Sequence, residues 1–103
     1  VDTLVGTKVT RVTSKYAGTL SYVDTRIDGA LAVGDATLQV AINGTNVTTG
    51  LITITNLGSA AGDYDYTSPT ALNRVEVGDE LSLTCGGANT AAVVANGCFT
   101  ISQ

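Results

Sequence analysis

ATLQVAINGTNVTTGLITI, Ala36 to Ile54, is the stretch that decides the fold. Ala36, Leu38, Val40 and Ile42 alternate with Thr37, Gln39 and Ala41, the two-residue period of a strand with one dry face. Asn43-Gly44 then interrupts the run. Both residue types tolerate the positive φ of a tight hairpin turn. Thr45 to Thr49 continues polar, Gly50 punctuates again, and Ile52 and Ile54 resume the dry face. Two strands joined by a short connection seed an antiparallel sheet.

Working outward, the same signals recur at short intervals. Asp28-Gly29, Gly34-Asp35 and Gly78-Asp79 mark turns. Thr19 to Ile27 is a β run of mixed phase, and a bulge near Tyr22 and Val23 would bring Leu20, Val23 and Ile27 to one face. Lys8 to Lys15, KVTRVTSK, is rich in β-branched residues, but Val9 and Val12 fall on opposite faces. It reads as an edge strand or an arm, of the kind that pairs with a partner chain. Asn56 to Asp65 reads as a loop that exposes Asp63, Tyr64, Asp65 and Tyr66. Ser68-Pro69-Thr70-Ala71-Leu72-Asn73 reads as one short helical turn, with Ser68 as cap and Pro69 at the first helical position. Leu81, Leu83 and Cys85 alternate with Glu80, Ser82 and Thr84. A last strand or strand pair covers Ala91 to Ser102, with Phe99 and Ile101 in the core.

With 103 residues the chain makes one domain, able to bury roughly 65% of its extended surface. The expected class is all-β, an antiparallel sandwich or jelly-roll-like fold of about seven or eight short strands. Residues 1–17 form an N-terminal β-rich segment or arm and 18–103 the sandwich.

The net charge is −4, and three of the five cations, Lys8, Arg11 and Lys15, lie near the N-terminus. The remainder is acidic, which argues against nucleic-acid binding and against an anionic membrane surface. No signal-peptide pattern and no apolar run of membrane-spanning length is present, so neither is expected. With no His in the chain, Ser/His and Cys/His nucleophile pairs are excluded. The reading is therefore non-catalytic, with no cofactor. Two thiols alone supply too few ligands for a metal site, and Asp63-Tyr64-Asp65 lacks the further carboxylates of a calcium loop.

Cys85 and Cys98 are the only cysteines, with twelve residues between them. A disulfide there would close the last loop and add about 3 kcal/mol on chain-entropy grounds. Against it, Cys85 is in phase with the core and Cys98 with the outside, and both alternatives stand.

One further pattern runs along the chain from Gly18. It comprises Ile27-Asp28-Gly29-Ala30-Leu31, Ala36-Thr37-Leu38, Ile42-Asn43-Gly44-Thr45, Ile52-Thr53-Ile54, Gly58-Ser59-Ala60-Ala61-Gly62-Asp63, Ser68-Pro69-Thr70-Ala71-Leu72-Asn73 and Val77-Gly78-Asp79. In this order and spacing the chain resembles small bacteriophage head decoration, or head-fibre-like, capsid proteins over about four fifths of its length. The resemblance implies a structural virion protein on the outer capsid surface, bound to the major capsid protein and trimeric at subunit junctions. It carries over no catalytic residue. The family pattern has small polar residues where this chain has Cys85 and Cys98. On this reading Lys8, Arg11 and Lys15 meet an acidic outer shell, and the loop Asp63 to Tyr66 is a further contact. A different class is also compatible with the residues: a β-sandwich adhesion or carbohydrate-binding module of a tail or surface protein, with Tyr64 and Tyr66 as its aromatic pair.

Overall fold

A computed structural model describes residues 3–103. They form eight strands and no helix: β1 (Val9–Thr13), β2 (Gly18–Ile27), β3 (Ala36–Ile42), β4 (Thr45–Ile54), β5 (Tyr64–Thr67), β6 (Arg74–Val75), β7 (Glu80–Gly87) and β8 (Ala95–Ser102). Two antiparallel sheets face each other as a sandwich. The first has the order β1-β7-β3-β4. In the second, β2 is central, with β8 along one edge and β5 and β6 along the other.

The opening hairpin is as its residues dictate. Ile42 pairs with Thr45, and the two residues between them, Asn43 (φ 51°) and Gly44 (φ 82°), are both left-handed, as a type I′ turn requires. Ala36, Leu38, Val40 and Ile42 are buried, as are Ile52 and Ile54 opposite. At Gly50 the sequence signals more than punctuation. Gln39 pairs with Leu51 and Ala41 with Asn46, so 47–50 arch outward opposite Val40. Val47 tucks under the arch, and a side chain at Gly50 would collide with it.

The arch joins the two sheets. Thr48 donates its N–H to the Ala71 carbonyl and accepts from the Thr70 N–H, while Thr67 Oγ1 donates to the Thr49 carbonyl at 2.6 Å. This overturns the helical turn expected at 68–73. Thr70 and Ala71 spend their backbone groups on a β-bridge to Thr48, and Leu72 is left-handed at φ 54°. Tertiary pairing outweighs a capping signal that is only local. The expected loop at 56–65 is likewise shortened, because Tyr64 and Asp65 already belong to β5, in register with Arg26 and Thr25.

The bulge in β2 lies where the phase conflict required it, between Leu20 and Tyr22, and Leu20, Val23, Thr25 and Ile27 all face inward. The final segment is one strand that runs through Asn96-Gly97, not a pair. The segment before β2 is built into the sandwich. Leu4 is 1% exposed in the core, its N–H donates to the Val93 carbonyl, and its carbonyl accepts from Asn89 Nδ2.

Candidate functional site

Three surfaces stand out, and each follows from how the strands are seated. The first is the outer edge of β1. This strand pairs with β7 on one side only and all five of its residues are exposed. That explains its lack of alternation, since among the described residues no layer covers either face. Arg11 Nε lies 3.2 Å from Glu80 Oε1 across the ladder, an exposed pair of small energetic weight. Among the described residues Lys8 and Lys15 have no ion-pair partner. The structure thus gathers Lys8, Arg11 and Lys15 along one edge and its flanks.

The second surface is the outer face of β2 and β5. Tyr22 stacks on Tyr66 with ring centroids 5.3 Å apart and planes at 21°, and Tyr64 lies 5.8 Å from Tyr66. The Arg26 guanidinium sits 4.8 Å from the centre of the Tyr64 ring. Tyr22 and Tyr64 share a hydrogen bond between their hydroxyls. That bond, with lesser contributions from desolvation and from Tyr22 and Asp24, pushes the Tyr64 phenol up to about 12. Asp65 is half-buried beside this cluster, and its carboxyl is raised by burial and then by the charge of Asp63. Asp63 is half-buried as well, its Oδ2 accepting from the Ala60 N–H at 2.8 Å. Of the expected exposed loop, Tyr64 and Tyr66 are at the surface while both carboxylates are partly withdrawn. Tyr22 was not expected here. The bulge hides its phase, and its two-residue offset from Asp24, opposite Tyr66, is the register that reveals it.

The third surface lies between β1 and β8. At the opposite side the sandwich is stitched shut by the β4 arch. Here the sheets part over a trough of about 360 Å³ lined chiefly by apolar atoms, with Val12 and Leu81 on one wall and Phe99 and Ile101 on the other. Phe99 and Ile101 face inward yet remain only half-buried, and among the described residues no strand closes the gap.

The cysteines are both free. Cys85 is buried on β7 opposite Leu38, and Cys98 is exposed on β8 opposite Asp24. One points into the core from the first sheet and the other out of the second. Facing sheets lie about 10 Å apart, beyond the reach of a disulfide. The candidate bridge is therefore absent. Burial raises the Cys85 thiol above its ordinary value, which keeps it protonated and unreactive. Among the described residues no group of three or more Cys, Asp or Glu converges as a metal site.

The fold and these surfaces define an antiparallel β-sandwich with a basic edge, a tyrosine cluster and one open side. No family model, no curated protein and no solved structure matches the chain.

Proposed function

We propose that this chain is a non-catalytic structural protein of a bacteriophage virion. In this reading it decorates or cements the outside of the capsid as a trimer at subunit junctions, with the major capsid protein as its partner. The resemblance from Gly18 onward suggests the class. The observation that carries the reading on the structure is the β1 edge. A basic outer strand on an otherwise acidic domain is suited to dock on an acidic shell. Lys8, Arg11 and Lys15 form that contact. The test is co-sedimentation with phage heads stripped of their surface proteins. The chain should pellet in fixed ratio to capsid subunits, lose binding with added salt, and run as a trimer in light scattering. A monomer that stays in the supernatant at low salt would contradict the proposal.

The second reading, an adhesion or carbohydrate-binding module, is favoured by one observation: Tyr22 joins Tyr64 and Tyr66 in an exposed aromatic cluster. It ranks lower because Tyr22 and Tyr66 turn ring faces toward each other and Arg26 lies over Tyr64, which leaves less open face for a sugar. Glycan binding by the parent chain that disappears in a Tyr64→Ala, Tyr66→Ala variant would reverse this order.

A further inference from the structure

Tyr22, Tyr64 and Tyr66 are three of the four tyrosines in the chain, which holds no His, Met or Trp. Apart from the exposed thiol of Cys98, phenols are therefore the side chains here that give up an electron most readily. Tyr64 and Tyr66 are 40% and 59% exposed, so an oxidant in solution reaches the cluster. The fourth tyrosine, Tyr16, lies apart beside the trough.

Cross-strand packing accounts for part of this arrangement. Tyr22 lies over Tyr66 as a phenylalanine would. Packing does not account for the hydroxyls of Tyr22 and Tyr64, which meet each other on an exposed face where water would serve each equally well. Two phenoxyl radicals couple at the ring carbons next to the one that bears the oxygen. A contact between hydroxyls brings those edges of Tyr22 and Tyr64 together, whereas Tyr22 and Tyr66 turn faces toward each other at 21°. The Tyr64 ring is also held in place. Arg26 lies over it while its Nη1 donates to the Gly62 carbonyl at 3.1 Å, and Tyr66 flanks it at 5.8 Å. Such positioning turns the meeting of two radicals into an intramolecular step.

We propose that Tyr22 and Tyr64 form an oxidative cross-linking site, joined as dityrosine by a one-electron oxidant of the haem peroxidase class acting with hydrogen peroxide. Each phenol first loses its O–H hydrogen as a proton and an electron. The two radicals then form one carbon–carbon bond between their ortho positions. Each ortho hydrogen leaves as a proton while the oxygen of the same ring takes one back. The net loss is two hydrogens, and one hydrogen peroxide accepts them to become two waters. The bond fastens β5, a four-residue edge strand whose ladder among the described residues is with β2 alone. The site lies on a different surface from the β1 edge and does not depend on the capsid reading.

The test treats the intact chain, dilute and with Cys98 alkylated beforehand, with a haem peroxidase and hydrogen peroxide. A monomer lighter by two hydrogens should form, with dityrosine fluorescence, and peptide mapping should join Tyr22 to Tyr64. The yield should exceed that from the urea-unfolded chain by about tenfold or more, since only the fold brings the two rings together. Tyr22→Phe and Tyr64→Phe should each abolish the product, and Tyr66→Phe should retain it. The cross-linked monomer should melt about 10 °C above the parent, because the bond constrains the unfolded chain. A link that maps to Tyr66, product formed only between chains through Tyr16, equal yield from the unfolded chain, or no loss of hydrogen would overturn the proposal. An unchanged melting temperature would refute the fastening of β5.

Discussion

Replacing Asn89 by alanine should unfasten the N-terminal segment from the domain. Asn89 is 3% exposed and all four of its side-chain bonds are made. Oδ1 accepts from the Ala32 N–H at 3.0 Å and the Ala91 N–H at 3.1 Å. Nδ2 donates to the Leu4 and Ala91 carbonyls, both at 2.8 Å. One side chain thus ties three separate stretches of chain together. Each such bond is worth about 0.5–1.5 kcal/mol net, and orphaned buried partners add desolvation costs. The expected loss is about 3 kcal/mol, against about 5–15 kcal/mol for a whole domain. At about 4–8 °C per kcal/mol this lowers the melting temperature by roughly 12–24 °C. Urea unfolding of parent and variant measures it, with the m-value unchanged if only the folded state is affected. The Leu4 amide, bonded to Val93, should exchange faster in the variant. A loss under about 1 kcal/mol, with Leu4 still protected, would refute the claim that this asparagine is the anchor.

Other predictions follow from single sites. Cys98 should react with a thiol reagent in the folded protein, and Cys85 only on unfolding; equal reactivity of both would contradict the burial of Cys85. Gly50→Ala should cost about 2 kcal/mol, because the new Cβ meets Val47 and lies 3.0 Å from Gln39 Nε2, whereas the Gly44 position is open and alanine there should cost about 1 kcal/mol for the positive φ alone. Tyr22→Phe removes the hydroxyl partner of Tyr64, so spectrophotometric titration should show Tyr64 ionising nearer its ordinary value of 10.0 than at about 12. Asp79 is held below its ordinary 3.8 by the Glu76 N–H and then by the Asn43 side chain. It therefore contributes stability that is present above that ordinary value and is lost as pH falls below it, toward its lower folded pKa. Asp79→Asn should flatten that part of the acid unfolding curve, and an unchanged curve would count against the assignment.

The chain states its local rules plainly and its long-range ones poorly. Period two from Ala36 to Ile42, the Asn43-Gly44 turn and the phase conflict around Tyr22 each have one good local solution, and the structure adopts them. Ser68-Pro69 has an equally good local solution, a helix start, and it loses. The competing partner, Thr48, lies in an arch that no local pattern reveals. The same holds for the candidate surfaces. Lys8, Arg11 and Lys15 are near in sequence and stay together on one edge. Tyr22 reaches Tyr64 and Tyr66 only through the β2–β5 register. The alternation around Cys85 and Cys98 already placed them on opposite sides, and sheet geometry decides between the alternatives that spacing left open. The open side has no such local sign: β3 and β4 are as free of charge as β8, and the gap exists only because β1 stands across from β8.

The proposal that this chain is an outer component of a phage head is tested most directly by immunogold electron microscopy. Particles from a culture that produces it would be labelled with an antibody against the folded domain. The account predicts regularly spaced label over the head surface of intact particles and none on the tail. Label confined to the tail, or particles with no label at all, would contradict it.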